Sequence, residues 1–287
     1  MPGLTPRPRR AGVLLHPTSL PGPGPIGELG PYAHAFLEWM AHAGLDTWQV
    51  LPLHPVGAGG SPYSSPSAFA GSPRLLSIEQ LVTDGILDAV PMPYGADQVD
   101  PEVVLAWKLP LVRAAGARLA GSDEVKAWAG TQAWLERWAR YAALAESRGT
   151  HDWWTWGQAE PDAAAVATHA AIQYIFDQQW TALREAARVR GIRVVGDVPI
   201  FVTHDACDVW SQPGLWKLDA SGQPDPVSGV PADYFSPTGQ RWGSPMYAWE
   251  AHQADGFAWW RARLRRELSL VDAVRLDHFR GFVAAWA

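Results

Sequence analysis

The spacing of apolar positions changes along this chain, and the changes mark out its elements. Gly12-Val13-Leu14-Leu15 is a short apolar run stopped by His16-Pro17 and the turn-rich Pro21-Gly22-Pro23-Gly24-Pro25, which predicts a short buried strand. Phe36, Leu37, Met40 and Ala43 then recur at helical spacing up to Gly44. Thr47 to Leu53 predicts a second strand, followed by a Gly/Ser/Pro loop from Gly57 to Pro66 with Tyr63 at its centre. From about residue 64 to 160 the alternation stops. Two Ala- and Trp-rich helical stretches, Val103 to Leu119 and Glu124 to Ser147, follow with no strand between them, and they read as a helical insertion subdomain. A long helix runs from an Asp162 cap to Arg190, with Ile172, Ile175, Phe176, Leu183 and Ala187 on one face and Gly191 placed to end it. Ile192 to Pro199 predicts a third strand with Asp197 at its end. A polar loop of roughly fifty residues comes next, a length that is usually functional. A helix carrying Phe257, Trp260, Leu264 and Leu268 leads into the last strand-like segment, Ala273 to Phe282, whose apolar start gives way to Arg275, Asp277, His278 and Arg280.

Strand, helix and strand in alternation predict a parallel sheet, and a barrel fits better than an open sheet. In a parallel barrel the chemistry sits where strands end. Arg275 lies two positions before Asp277 and so points to the same face, where it could hold that carboxylate ionised and oriented for nucleophilic attack. The same two residues would equally serve as an ion pair closing a strand end. Asp197 and Asp277 end consecutive strands, so in a barrel both carboxylates would face one cleft. Glycoside chemistry needs two carboxyl groups across the scissile bond, although two strand-end aspartates do not by themselves establish it.

Composition narrows the classes. The net charge of −6 over 287 residues and a pI near 5.8 argue against a nucleic-acid partner, despite the basic Arg7, Arg9 and Arg10. The apolar run after those arginines is too short for a signal peptide or a membrane span. The single cysteine, Cys207, excludes an internal disulfide, fits a reducing cytoplasm and reads as a small buried thiol. The 17 tryptophans exceed ordinary core needs, and a surplus suits a cleft that stacks on pyranose rings. His204, Asp205, Asp277 and His278 could converge on a metal, but no His-x-His, His-Glu-x-x-His or paired Cys spacing is present, so neither a metal nor another cofactor is expected. A Ser-His-Asp hydrolase lacks its Gly-x-Ser-x-Gly elbow, and no Gly-x-Gly-x-x-Gly follows a strand.

Several stretches together resemble one family. Gly12-Val13-Leu14-Leu15-His16-Pro17-Thr18-Ser19-Leu20-Pro21-Gly22 is similar to the opening of the amylomaltases, the 4-α-glucanotransferases of glycoside hydrolase family 77. So are Trp48 to Leu53, Ser61-Pro62-Tyr63, Gly196 to Val202, Gly229 to Phe235, Gly239 to Gly243 and Val274 to Gly281, in order along nearly the whole chain. The resemblance implies an α-amylase-type (β/α)8 barrel, represented by about its first four strands, with the helical insertion after the second. It implies transfer of α-1,4-glucan segments to the 4-hydroxyl of an acceptor, with retention. Asp277 would be the nucleophile and Arg275 its orienting partner. Tyr63 and Asp197 would hold the donor sugar and His278 would bind substrate, while Asp233, Gln240 and Trp242 would belong to a mobile loop over the acceptor. A hydrolase of the same clan is the runner-up.

Two departures stand out. Ala58 and Leu105 occupy positions where some members carry aromatics that bind glucan at a remote site, so that site is not expected here. The resemblance also places the general acid/base on a glutamate near a fifth strand, and the chain ends at Ala287, soon after Asp277. The expectation is a portion of a longer enzyme, nearly inactive alone, with a non-catalytic glucan-binding remnant as the alternative.

Overall fold

The computed structural model describes residues 9–57, 59–91, 93, 98–232, 234, 236–284 and 286. Four strands, β1 (Gly12–Leu14), β2 (Thr47–Gln49), β3 (Arg193–Val198) and β6 (Ala273–Leu276), form one parallel sheet in the order β1-β2-β3-β6. All four predicted strands are present, but they differ from expectation in places. β1 is an edge of this sheet, and Leu14 is 55% exposed rather than buried. β2 stops at Gln49 because Pro52 can add no donor to the ladder. Val50 still donates to the Val195 carbonyl at 2.9 Å.

Helix α1 (Pro31–His42) buries Ala33, Leu37 and Met40, with Phe36 partly covered and Ala43 exposed. The short α2 (Ile78–Thr83) is capped by Ser77. The stretch predicted as a helix from Val103 begins earlier: α3 (Pro101–Val103) starts at an Asp100 cap, passes through a π turn (Val104–Lys108) and continues as α4 (Leu109–Leu119). Pro110 at the start of α4 lacks an N–H, so a wide turn there sacrifices no α-helical bond at that residue. The Glu124 to Ser147 segment is two helices, α5 (Asp123–Ala129) and α6 (Leu135–Arg148), broken after Gly130, where the Thr131 amide turns back to the Trp128 carbonyl.

Helix α7 (Ala163–Val189) matches its pattern closely. The Asp162 side chain caps it at the Ala165 amide, and Gly191 ends it at φ 71°, a left-handed angle that favours glycine. Its apolar face meets Trp48, Val50 and Val194 from the sheet and Leu37 and Met40 from α1. Two buried glutamines on α7 hold the chain leading to α2. Gln173 makes a two-way bond to the Gly71 backbone, and Gln179 does the same with Ser77.

The polar loop after β3 is not structureless. It contains α8 (Cys207–Ser211), an antiparallel hairpin of β4 (Val227–Val230) and β5 (Gln240–Pro245), and α9 (Trp249–Ala254). Beneath it lies a second core rich in aromatics, including Trp134, Trp138, Tyr141, Trp216, Tyr247, Trp259 and Trp260. Cys207 is buried in this core, and burial pushes its thiol well above the ordinary value.

Helix α10 (Ala258–Leu270) corrects the predicted stripe. Its buried residues are Trp259, Trp260, Arg263, Arg266, Glu267 and Leu270, whereas Phe257 and Leu268 face outward. Two of the interior charged groups are paired, Arg266 with Asp177 at 2.6 Å and Glu267 with His54 at 2.5 Å, whereas Arg263 bonds the Pro199 carbonyl and leaves Nε and Nη1 without acceptors among the described residues. No helix among the described residues is long and apolar enough to cross a membrane.

Candidate active site

The carboxyl ends of β3 and β6 lie side by side, and their register sets Asp197 directly across from Arg275. Asp197 is 2% exposed. Its carboxylate accepts from Tyr63 Oη at 2.7 Å and from Arg275 Nη1 at 2.8 and 2.7 Å. The other arginine nitrogen, Nη2, donates to Asp277 Oδ1. One guanidinium therefore spans a buried carboxylate and an open one, since the Asp277 side chain is 33% exposed.

Burial pushes the Tyr63 hydroxyl up to about 12, and its hydrogen bond to Asp197 and the nearby charge of Asp277 add to the rise. Tyr63 thus stays a neutral donor through the neutral range. Desolvation by itself would lower the pKa of Arg275, but its bonds to Asp197 and Asp277 raise it overall.

The cleft above these groups has a volume of about 330 Å³. His278, directly after Asp277, has a left-handed backbone at φ 46°. That conformation costs a non-glycine residue roughly 1–2 kcal/mol, and the surrounding packing has to sustain it. The His278 ring meets the edge of Trp242 at 5.0 Å between centroids. Trp242 lies 6.2 Å from Phe201 and donates its Nε1–H to Gln240 Oε1 at 3.1 Å. Ser61, Ser64, Pro199, Ile200, Thr203 and Ser244 complete the lining. An oriented carboxylate, several small polar residues and an aromatic wall suit a polyhydroxylated ring, whose faces are apolar and whose edge is polar.

Of the residues singled out from sequence, Tyr63, Trp242, Asp277 and His278 line this cleft, with Asp197 and Arg275 bonded at its base. Gln240 reaches it only through Trp242 and itself borders a depression between β4 and β5. Asp233 and Ala58 lie outside the described residues. The two aspartates are neighbours as expected, but they are not two free carboxylates facing one bond, because Asp197 is enclosed by Tyr63 and Arg275. His204 is turned to other work: it bonds the Gly222 carbonyl at 2.7 Å and stacks on Trp154 at 4.2 Å. Phe201 and Thr203 were not singled out as site residues, although their place just beyond the end of β3 was a usable signal. Ser244 had none, since only the hairpin brings it to the cleft.

A family model described as 4-alpha-glucanotransferase matches residues 15–287. The chain is 42% identical over 299 residues to the 4-alpha-glucanotransferase of Thermus thermophilus, covering 97% of this chain and 60% of that protein. It is 42% identical over 308 residues to the chloroplastic/amyloplastic 4-alpha-glucanotransferase of Solanum tuberosum, covering 97% and 53%. Among solved structures, the amylomaltase from Streptococcus agalactiae in complex with acarbose superposes with a TM-score of 0.88 at 34% identity, over 96% of this chain and 60% of that one. The amylomaltase from Corynebacterium glutamicum, at 19% identity and a TM-score of 0.75 over 95% and 41%, shares the fold. The chain spans 53–60% of the length of the two curated relatives.

Proposed function

The chain belongs to the 4-alpha-glucanotransferase family, and from that premise we propose that its cleft is the donor end of a retaining α-1,4-glucan transferase. The observation that carries the reading is Arg275, which joins the buried Asp197 to the open Asp277 at adjacent strand ends. Asp277 attacks the anomeric carbon of the donor sugar. The bond to the leaving glucan breaks, its electron pair stays on the departing oxygen, and that oxygen takes a proton. The 4-hydroxyl of an acceptor glucan then attacks the same carbon, gives up its proton and releases Asp277 as a carboxylate. Two inversions give net retention.

Tyr63 and Asp197 fix the floor on which the donor sugar rests, and His278 contacts its edge. Asp197 is not the proton donor, since both of its oxygens are already engaged by Arg275 and Tyr63. The family resemblance puts that role on a glutamate near a fifth strand, to which no described residue corresponds. Trp242 and Gln240 flank the acceptor side, where an aromatic cover that excludes water favours transfer over hydrolysis. The family resemblance assigns Asp233 to the same acceptor side. Four parallel strands in chain order support reading the sheet as the start of an α-amylase-type (β/α)8 barrel, with residues 64–160 as the insertion after its second strand.

The test is incubation with maltotriose. Transfer yields glucose together with chains longer than the substrate, whereas hydrolysis yields only smaller sugars. Oligosaccharide binding without turnover would favour a glucan-binding role, and neither binding nor turnover would overturn both.

A further inference from the structure

Trp242 stands in the wall of the cleft, and its own strand does not fix its ring. The β4–β5 ladder pairs Gly229 with Arg241 and then Val227 with Pro245, so Ser228 alone lies opposite Trp242, Gly243 and Ser244. A bulge of this kind frees a side chain from the regular alternation of a strand and re-aims it. Gly243, at φ 77°, adds a left-handed step directly after Trp242. The tryptophan is 40% exposed, so the groups packed beneath it decide where its ring stands. Beneath it is the buried Phe201, whose ring lies 6.2 Å from Trp242 and 6.5 Å from His278. Trp242 and His278 meet each other at 5.0 Å, and the three rings form a triangle drawn from β5, the turn after β6 and the extension of β3.

Phe201 is the corner of that triangle tied to the interior. The Tyr247 ring stacks on it at 6.0 Å with 23° between planes, and the Tyr247 hydroxyl donates to the Ile200 carbonyl at 2.6 Å. Arg263 Nη2 holds the preceding Pro199 carbonyl at 2.6 Å. Tyr247 is itself buried and packs on Trp216 and Trp260 of the second core. We propose that Phe201 is a positioning residue of the cleft: it sets the Trp242 ring over the acceptor side and against His278, with Tyr247 as its anchor. The consequence for the reaction rests on the transferase reading of the cleft, whereas the packing role does not.

The experiment uses the whole chain labelled with 5-fluorotryptophan, the fluorine resonances of Trp242 and Trp180 being identified with Trp242→Phe and Trp180→Phe. Phe201→Leu keeps an apolar side chain and removes the ring. It should shift the Trp242 resonance and leave that of Trp180, in the first core, in place. Tyr247→Phe removes only the hydroxyl and should move the Trp242 resonance by a smaller amount. A residue that merely stabilised the fold would lower the urea midpoint without moving the resonance of the folded state. Calorimetric titration with maltoheptaose gives the second readout. Phe201→Leu should weaken binding about tenfold in the wild-type background and about twofold in the Trp242→Ala background, where the support has no ring left to hold. A Trp242 resonance unmoved by either variant, or an equal loss of affinity in both backgrounds, would overturn the positioning role. A wild-type chain that did not bind maltoheptaose would overturn the transferase reading, and the fluorine resonances would still decide the positioning role.

Discussion

Arg275→Met isolates the interaction on which the site rests. Methionine keeps an unbranched stem of similar length but removes all donors. Asp197 is 2% exposed and would retain only its bond from Tyr63. Orphaning a fully buried charge costs about 3–5 kcal/mol, and each lost hydrogen bond to a charged group about 1.5–3 kcal/mol. Two features reduce those figures. The Arg275 side chain is 46% exposed, so water already screens it, and Tyr63 remains in place. The expected loss is therefore about 2 kcal/mol. Urea unfolding followed by tryptophan fluorescence reads it as a shift in midpoint at constant slope. If the loss comes from the stranded carboxylate, Asp197→Asn in the Arg275→Met background should return about half of it, so the two changes couple by about 1 kcal/mol. Additivity of the single and double variants to within about 0.5 kcal/mol would refute this reasoning, as would an unmoved midpoint in Arg275→Met.

Asp277→Asn should remove glucan transfer while leaving maltooligosaccharide affinity within a few-fold, and substantial turnover in the undeamidated variant would exclude it as nucleophile. Trp242→Ala should raise the ratio of hydrolysis to transfer in an active enzyme, because a stacking face and a water shield go together; an unchanged product ratio would remove it from the acceptor side. Gly71→Ala should destabilise by about 1–3 kcal/mol, since the new Cβ would sit 2.1 Å from Cδ1 of the buried Phe176 ring, and a Tm equal to wild type would contradict that packing. Burial holds His16 down at about 4 from an ordinary 6.5, so the folded chain binds fewer protons than the unfolded one across that window. Its contribution is present above about 6.5 and is lost as pH falls through about 4, and His16→Gln should flatten that part of a stability–pH curve.

The strands and α7 were legible because their signals are local. An apolar run bounded by turn residues needs no distant partner to be read, and Asp162, the Ile172 to Ala187 face and Gly191 announce one helix from cap to end. The adjacency of the strand ends that carry Asp197 and Asp277 followed from the same source, since parallel strands joined by helices tend to lie side by side. The division of labour between the two aspartates was not legible. It depends on Tyr63, which arrives from a loop 134 residues earlier in the chain and takes one oxygen of Asp197. The tryptophan surplus misled in a similar way. Most of the placed rings fill the second core under the long post-β3 segment, and Trp242 alone among them lines the cleft.

Helix α10 shows why hydrophobic periodicity fails where it does. A helix that packs on a sheet meets backbone already paired within the ladder, so an apolar face suffices. Part of α10 instead packs on irregular chain, whose buried carbonyls must find donors elsewhere. Its inner residues supply them: Arg263 Nη2 donates to the Pro199 carbonyl at 2.6 Å, and Arg266 Nε to that of Phe69 at 3.1 Å. Glu267 in turn bonds His54, whose other ring nitrogen bonds the Ala70 carbonyl at 2.8 Å. Tyr247 adds a bond to the Ile200 carbonyl at 2.6 Å. The segments held in this way are the continuation of β3 beyond Asp197 and the chain that follows the Tyr63 loop. The interior charges of α10 therefore answer to backbone that leaves the sheet to build the cleft, and a rule written for packing against sheets places Phe257 and Leu268 on the wrong side.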